Sequence, residues 1–295
     1  MTRIGFRRGL TYMAAAAFFF SLMSLLVKGV GRGLPSQEIV LWRGIVTVIL
    51  SYAAVRRARV SPWGKPANRR LLILRGLFGF GALSCFFYAV VHLPLADATV
   101  IQYTNPVFTA LLAAAFLAEP IGGREAVAVV ISLIGLLAIA QPSFLLPSAT
   151  DGLDPLAVGV ALAGAILSAA AYVTVRKLGR TEHPLVIVHY FAMIVVLGSL
   201  PVAATTLQWP TPIEWMGLIG IGVTTHIAQV YMTRGLALEP AGRAMAVGYI
   251  QIVFAAILGA LVFAEFPDGL GVFGALLIIL STLWLGRSRT EEAKP

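Results

Sequence analysis

The chain has 295 residues, of which 59% are hydrophobic and only 12% are charged. This balance excludes a soluble globular protein, because a soluble domain of this size needs more charged side chains to cover its surface. The net charge of +9 does not predict a nucleic-acid partner, since the Lys and Arg residues fall in alternate loops and no soluble basic module accompanies them.

Runs of about 20 apolar residues recur along the chain, which is the length that a helix needs to cross a hydrocarbon core about 30 Å thick. The first run follows Arg3, Arg7 and Arg8 and resembles a signal peptide, but the many later spans favour an uncleaved first helix. Connections are short, so neighbouring helices are expected to be antiparallel. The pattern predicts an all-α integral membrane protein with ten transmembrane helices, at residues 9–30, 37–56, 71–91, 96–118, 125–141, 156–176, 184–206, 213–234, 243–264 and 269–286.

The distribution of basic residues tests this number of helices. If the N-terminus is cytoplasmic, 18 of the 22 Lys and Arg residues lie in cytoplasmic segments. The other connections hold only Lys28 and Arg32, and Arg43 and Arg75 are left within spans. A bias this strong predicts ten spans with both termini cytoplasmic, in a multi-pass protein of the cell (inner) membrane.

The fourth and ninth predicted helices are two copies of one segment, 146 residues apart. The first copy, LPLADATVIQYTNPVFTALLAAAFLAEP, begins at Leu93, and the second, EPAGRAMAVGYIQIVFAAILGALVFAEF, begins at Glu239. Five helices per copy is an odd number, so the second half is predicted to be inverted relative to the first, as in many secondary transporters. The two repeats are predicted to cover residues 9–141 and 156–286 and to form one membrane unit. The aligned pairs include Pro94 with Pro240, Tyr103 with Tyr249, Asn105 with Gln251, and Ala118-Glu119 with Ala264-Glu265.

Two glycine clusters extend the repeat into the third and eighth helices. They lie in the middle of spans and follow no strand, so a phosphate-binding loop is not expected there. Small residues let helices approach closely in lipid, and we interpret the clusters as packing sites. The glycines are Gly76, Gly79 and Gly81 in the third helix and Gly217, Gly220 and Gly222 in the eighth.

These repeats resemble the drug/metabolite transporter superfamily, and specifically its EamA-type members. The resemblance is carried by the run from Arg75 to Pro120, RGLFGFGALSCFFYAVVHLPLADATVIQYTNPVFTALLAAAFLAEP. LPLADAT before a proline-containing helix and a closing Ala-Glu is typical of the first EamA repeat, and EPAGRA is typical of the second. The resemblance covers nearly the whole chain. It implies ten helices around a central cavity, cytoplasmic termini, and export or exchange of amino acids, small metabolites, drugs or nucleotide-linked sugars.

Polar side chains inside spans are costly and therefore indicate candidate binding residues. In the fourth helix they precede Pro106, which has no N–H and so deprives the carbonyl of Gln102 of its helical partner. A ligand-binding role and a packing kink with satisfied amides both fit this pattern. Matching polar residues in the ninth helix favour a shared site at the repeat axis. The candidates are Gln102, Tyr103 and Asn105 in the fourth helix and Tyr249 and Gln251 in the ninth.

Charged and titratable residues of other helices extend the candidate site. His226 and Gln229 of the eighth helix are three residues apart and so lie on one face. His226 fits substrate binding, proton transfer or a structural hydrogen bond equally well. Arg43 lies about 9 Å inside the second helix, where an anionic substrate group, a pair with Glu38 and snorkelling all fit. Arg43 and Lys28 together favour an anionic or zwitterionic solute.

Three further charged residues are expected to have structural roles. Arg75 is expected to snorkel to the cytoplasmic surface. Glu119 and Glu265, which close the two repeated helices, are expected to form salt bridges, with a gating role as the alternative.

The sequence as a whole predicts a secondary transporter of a small polar or amphipathic metabolite that works by alternating access as an exporter or exchanger. A lipid or drug flippase or scramblase is the alternative. A membrane-embedded enzyme is less favoured, because HExxH, GxSxG and paired mid-membrane carboxylates are missing. No cofactor or metal is expected, since Cys85 is the single cysteine and the histidines lack ligand spacing. The expected partners are a small-molecule substrate and the lipid bilayer, and a homodimer is left open.

Overall fold

The computed structural model describes residues 8–30, 34–142, 145, 153–206 and 208–287. Arg3, Arg7 and Arg32 lie outside these residues. All regular structure in the described ranges is helical. The α-helices are α1 Arg8–Val30, α2 Ser36–Arg57, α3 Arg69–His92, α4 Leu95–Gln102, α5 Asn105–Leu117, α6 Gly123–Ala140, α7 Pro155–Leu178, α8 Pro184–Thr206, α9 Pro212–Leu238, α10 Ala241–Gly248, α11 Ile250–Phe263 and α12 Gly269–Arg287, and a short 3₁₀ turn covers Pro66–Asn68.

The ten-helix prediction is confirmed, with one difference: the fourth and ninth spans are each interrupted, as α4–α5 and α10–α11. By length and composition, nine helical segments of the described chain can cross a membrane, and α9 is not among them. At 27 residues α9 is about 40 Å long, more than a bilayer core requires. Helix α9 packs against α1, α2, α7 and α8.

The outer surface of the bundle is apolar. Ile213, Met216 and Leu261 are each more than three-quarters exposed, at 81%, 76% and 77%. Exposed side chains of this kind on long helices meet lipid, where no water is available for polar groups. The fold is therefore that of a multi-pass membrane protein, as the composition predicted.

The two halves interlock instead of lying side by side. Helix α1 packs against α9, and the equivalent helices of the other half, α7 and α3, pack in the same way. Helices α2 and α8 pack against each other, as do α6 and α12. Each of these contacts joins one half to the other. Exchanging the two halves converts the α1–α9 contact into the α7–α3 contact and leaves the α2–α8 and α6–α12 contacts unchanged, as expected for a duplicated bundle with approximate two-fold symmetry.

Close glycine contacts give the relative direction of the halves. The first turn of α1 meets the last turn of α9, at Gly9 and Gly235, and Val30 at the end of α1 covers Gly217 near the start of α9. Gly179, after the end of α7, lies against Ala237 at the end of α9. Helix α7 therefore runs opposite to α1, its repeat equivalent, which supports the predicted inversion.

The six glycines of the two predicted clusters, in α3 and α9, lie at inter-helix contacts. A Cβ at Gly76 would clash with Ile194 of α8, and one at Gly222 would clash with Val46 of α2. Such crowding supports the packing interpretation, because only a hydrogen in place of a side chain lets these helices approach so closely. The remaining four face their neighbours as follows: Gly79 meets Phe191, Gly81 meets Leu167, Gly217 meets Val30 and Gly220 meets Leu26.

The bundle has two chemically different ends. At one end the α2–α3 connection meets the α7–α8 connection, where the N–H of Lys65 donates to Glu182 Oε1 at 2.7 Å. We call this the basic end, because the two connections together with the helix turns beside them carry several Arg and Lys residues. At the opposite end the N–H of Gln208 donates to Glu38 Oε1 at 3.0 Å, and Gln141 Nε2 donates to Asp268 Oδ2 at 2.7 Å.

Candidate functional site

The two interrupted spans have the same local geometry. Each starts after a proline in nearly the same conformation, Pro94 at φ −52° and ψ 138° and Pro240 at φ −51° and ψ 140°. Each ends on an alanine in the left-handed region, Ala118 at φ 53° and Ala264 at φ 56°. The left-handed residue stops the helix and turns the following glutamate out of the span. The sequence repeat is therefore also a repeat of backbone shape.

Pro106 accounts for the interruption between α4 and α5. It has no N–H for the carbonyl of Gln102, and Asn105 Nδ2 donates to that carbonyl instead, at 2.7 Å. The neighbouring carbonyl of Tyr103 accepts from the hydroxyl of Tyr249, at 2.8 Å. Both carbonyls at the break are therefore occupied. Of the two interpretations that the sequence left open for the Gln102 carbonyl, this cap agrees with the packing kink, because a side chain three residues away takes the place of the missing N–H.

The amide side chains at the break offer acceptors in place of the carbonyl. Gln102 Nε2 donates to Ser168 Oγ of α7 at 2.9 Å, and Asn105 Nδ2 is used by the backbone. The opposite atoms of both amides, Gln102 Oε1 and Asn105 Oδ1, are buried without a hydrogen-bond partner. A buried polar atom without a partner is costly, and each of these oxygens can accept a hydrogen bond from a donor that reaches it.

The second interruption lacks a proline and is used differently. Ile252 stands where the first copy has Pro106, and the break between α10 and α11 is a tight turn in which the N–H of Ile252 donates to the carbonyl of Tyr249 at 3.0 Å. The carbonyl of Gln251 accepts from Ser21 of α1 at 2.8 Å. Ser21 and Ser168 thus hold the two breaks from equivalent helices, one through a backbone atom and the other through a side chain.

Three tyrosines lie at the junction of the halves. The rings of Tyr103 and Tyr249 are 6.1 Å apart between centroids, and Tyr249 is fully buried. Tyr172 of α7, like Tyr103, packs against the core cluster that contains Tyr249. Helix α7 thus contacts the amide pair through Ser168 and also packs against α3, the helix that carries Arg75.

The polar face of α9 carries two of the predicted residues. Gln229 is buried and its Oε1 accepts from Arg75 Nη2 at 3.0 Å. His226 lies one turn away, and its Nδ1 is buried without a partner. Thr225 Oγ1 and Thr233 Oγ1 on the same helix are also buried and unpartnered. The helix thus presents a line of polar atoms whose hydrogen-bonding capacity is not used by the described protein atoms.

The structure corrects the interpretation of Arg75. Its side chain does not snorkel: the residue is only 2% exposed and its guanidinium carbon lies 3.8 Å from the ring centroid of Phe191. Gly79, one turn later, leaves room for both groups, because a Cβ there would lie 2.8 Å from Arg75 Nη1 and 2.7 Å from Phe191 Cε2. A glycine one turn after an intramembrane arginine is the sequence pattern that would have indicated this burial.

Arg43 also faces the interior. Its Nη1 lies 3.6 Å from Met23 Sδ, and the residue lines a small cavity with Thr47, Phe191 and Thr225. The alternative pair with Glu38 is wrong, because Glu38 accepts from Gln208 in the α8–α9 connection. Phe191 is common to the surroundings of Arg43 and Arg75. Within the described ranges neither arginine has an ion-pair partner.

Lys28 lies apart from these residues, at the opposite end of the bundle. It forms an ion pair with Glu265 after α11, and its ammonium group stands 4.7 Å from the ring centroid of Phe263. The side chains of Lys28 and Glu265 are 46% and 56% exposed. The described contacts therefore connect Lys28 to the end of a repeated span and not to the central polar group.

The basic end holds the equivalent ion pair. Glu119 after α5 pairs with Arg176 of α7 at 2.7 Å, and both side chains are only 12% exposed. Arg180 adds a second contact to Glu119, at 2.9 Å. Further hydrogen bonds surround this pair: Arg176 Nη1 donates to the carbonyl of Ala237 at 2.7 Å, and Glu119 Oε2 accepts from the N–H of Ala241 at 2.9 Å.

The two ion pairs join the halves in the same way. Each connects the glutamate after an interrupted span to the last turns of the first helix of the other half. The expected salt bridges of Glu119 and Glu265 are thus present, at opposite ends of the bundle. In the described part of the chain no group of three or more His, Cys, Asp and Glu side chains could hold a metal ion.

Comparisons with known proteins agree with this architecture. The EamA-like transporter family matches the chain twice, over residues 7–141 and 155–287. The chain is 34% identical over 286 residues to the pseudopaline exporter CntI of Pseudomonas aeruginosa, covering 96% of this chain and 97% of that protein. It is 27% identical over 283 residues to the S-adenosylmethionine uptake transporter of Rickettsia felis, covering 93% of each. A solved crystal structure superimposes with a TM-score of 0.81 at 18% identity, over 93% of this chain and 94% of that one, which is a likeness of fold.

Proposed function

We propose a substrate class and a mechanism from one premise: the chain belongs to the EamA-like transporter family and is a secondary transporter of a metabolite, not an enzyme. The substrate is a small zwitterionic or anionic metabolite, such as an amino acid or an organic acid. It binds between the two interrupted spans and is carried by alternating access. We retain every predicted site residue except Lys28, which pairs with Glu265 after α11. The retained residues are Gln102, Tyr103, Asn105, His226, Gln229, Tyr249, Gln251 and Arg43.

One observation carries the proposal: the interrupted spans of the two halves meet at the centre of the bundle, beside unpartnered polar atoms. Tyr249 of one half hydrogen-bonds to Tyr103 of the other, and the free oxygens of Gln102 and Asn105 lie at the same break. Interrupted helices at the repeat interface are the usual place for a substrate site in transporters, because non-helical backbone in a membrane must face protein or a cavity.

The chemistry of the free atoms supports a substrate with both a donor and an acidic group. Two amide oxygens accept hydrogen bonds and suit an ammonium or amide N–H of the substrate. Arg43 supplies positive charge without an acidic partner in the described ranges, and it suits a carboxylate. An intramembrane charge of this kind is retained where it meets a substrate or a pathway.

The paired ends support alternating access. Arg176–Glu119 at the basic end and Lys28–Glu265 at the opposite end each fasten one half to the other. Opening the cavity to one side requires the halves to separate at that end, and the ion pair there must break. The buried, highly connected pair closes the basic end in this conformation, while the exposed pair at the opposite end is the easier one to open.

The orientation follows from charge. The basic end is proposed to face the cytoplasm, which places both termini there, in the cell (inner) membrane. One similar protein is named an exporter and another an uptake transporter. A carrier with alternating access moves substrate along the prevailing gradient, so we propose export or exchange.

Counterflow in liposomes tests the transport proposal. Vesicles containing the purified protein are preloaded with unlabelled amino acids or dicarboxylates, and entry of the same labelled solute is measured. Preloading should accelerate entry, which a channel or a scramblase does not do. The variants Gln102→Leu and Asn105→Leu should lose this entry, and Gln208→Leu, an exposed amide in the α8–α9 connection, should keep it. Entry that ignores preloading, or that survives both site variants, contradicts the proposal.

Thiol cross-linking tests the alternating mechanism separately. Replacing Cys85 by serine removes the single cysteine, and cysteine pairs then replace Arg176 with Glu119 or Lys28 with Glu265. A flexible thiol cross-linker at either end should stop counterflow, and cleaving the linker should restore it. Counterflow that continues with one end cross-linked would show that the halves do not need to separate there.

A further inference from the structure

The structure assigns a carboxylate-binding role to Arg75 of α3, and this inference rests on the transport function proposed above. Arg75 was not among the residues predicted for the site. Its guanidinium group lies inside the bundle, between the ring of Phe191 and the amide of Gln229. We infer that it binds the carboxylate group of the transported metabolite.

The first argument is the unused hydrogen-bonding capacity of Arg75. The residue is 2% exposed, and a guanidinium group has five N–H donors. Gln229 receives one of them at 3.0 Å, while Nε and Nη1 are buried without a partner. A buried charge is stable only when it is paired and hydrogen-bonded, and within the described ranges Arg75 forms no ion pair.

The second argument is that the surroundings hold the guanidinium group in place and, among the described residues, supply no anion to it. Phe191 fixes the plane of the guanidinium group by stacking at 3.8 Å, and Gln229 fixes Nη2. Because Gly79 has no side chain, Nη1 can lie close to it; a Cβ there would stand only 2.8 Å from Nη1. With one N–H used, at least one edge of the guanidinium keeps two parallel donors. This arrangement matches the two oxygens of a carboxylate.

The third argument is the position of Arg75 relative to the amide acceptors. Gln102 contacts Ser168 of α7, and α7 packs against α3, the helix that carries Arg75. A substrate bound beside α7 can therefore present its ammonium group to the amide oxygens and its carboxylate group to Arg75.

Matched pairs of small molecules provide the test, using melting of the purified full-length protein in detergent. The probes are L-alanine against L-alaninamide, and succinate against succinamide, which differ only in having an amide for a carboxylate. In the unsubstituted protein the carboxylate members should raise the melting temperature more than the amides. Arg75→Met should abolish this difference and weaken carboxylate binding about 30-fold or more, the usual effect of truncating a buried charged partner.

Two controls separate a binding role from a structural one. Without ligand, Arg75→Met should melt at a higher temperature than the unsubstituted protein, because an uncompensated buried charge is removed. A purely structural arginine would instead leave the variant less stable. Arg70→Met, at the exposed start of the same helix, should change neither the melting temperature nor the response to carboxylates. Arg75→Lys should retain part of the response, since it keeps the charge and loses the planar fork.

The outcomes distinguish this inference from the transport proposal. A carboxylate-dependent rise that persists in Arg75→Met, or no difference between acid and amide in either pair, overturns the role of Arg75. Failure of counterflow in the unsubstituted protein, with the Arg75-dependent rise still present, overturns the transport proposal and leaves the carboxylate site standing.

Discussion

The basic end and the opposite end of the bundle use the same device with different strength. Both close on a glutamate that follows an interrupted span and pairs with the last turns of α1 or α7. At the basic end the pair is 12% exposed on each side and is joined by Arg180 and by three backbone contacts. At the opposite end the pair is about half exposed and its additional contact is the ring of Phe263.

The difference shows how duplicated halves can favour one conformation. If both ends had equal pairs, neither closure would be preferred on electrostatic grounds. Removing one partner of a buried ion pair typically costs about 3–5 kcal/mol. An exposed ion pair contributes only about 0–1 kcal/mol. The basic end is therefore the more firmly closed of the two. It should open only when substrate binding offsets the cost of separating its ion pair.

The largest effect is expected at the buried pair. Glu119→Gln removes the partner of Arg176 and Arg180 and weakens the contact to Ala241. We expect a loss of about 3 kcal/mol in the free energy of unfolding, because a buried guanidinium group is left without its charge partner. Denaturant unfolding in detergent measures this loss. Glu265→Gln, at the equivalent position, is the matched control, and equal losses in both variants would remove the asymmetry.

A smaller effect is expected where the two halves meet at the centre. Tyr249→Phe removes the hydroxyl that donates to the carbonyl of Tyr103 and leaves that carbonyl unsatisfied, at a cost of about 1–3 kcal/mol. Tyr103→Phe is the matched control, since the two tyrosines are aligned in the repeat but only Tyr249 makes this contact. Thermal unfolding should show the larger loss for Tyr249→Phe, and the reverse order would contradict this assignment.

Substitution of the two serines that contact the breaks should affect KM differently. Ser168→Ala releases the amide of Gln102, so the KM for substrate should rise about tenfold, the equivalent of roughly 1.4 kcal/mol. Ser21→Ala affects a backbone carbonyl of the other half and should leave KM within about twofold, well under that same 1.4 kcal/mol. Counterflow at varied substrate concentration measures both values. A matching rise in the two variants would mean that both halves contribute side chains to the site equally.

The smallest effect is expected at the exposed pair. Lys28→Met should lower the free energy of unfolding by about 0–1 kcal/mol, because an exposed ion pair is only slightly more stable than its two charges when each is separately hydrated. Denaturant unfolding at low and high salt provides the measurement, and screening should reduce the small difference further. A loss as large as that of Glu119→Gln would show that the opposite end is closed as firmly as the basic end.

The sequence determined the architecture of this protein almost completely. Span lengths follow from the thickness of the bilayer, and the alternation of Lys and Arg follows from topology, so both leave local patterns that can be counted. The repeated segments also predicted the matched ends, because Pro94 and Pro240, and likewise Ala118 and Ala264, have nearly the same backbone conformation in the two halves. The family followed from the same segments, and the comparisons confirmed it.

Only the tertiary structure decided which polar atoms are used and which remain open. Asn105 caps the carbonyl of Gln102, Arg75 is buried against Phe191, and Lys28 belongs to the end of α11 instead of the centre. Except for the cap, these contacts join residues more than 100 positions apart in the chain. Burial and hydrogen bonding depend on which helices face each other. The hydropathy of a single span does not specify this, because an apolar side chain can face either lipid or another helix.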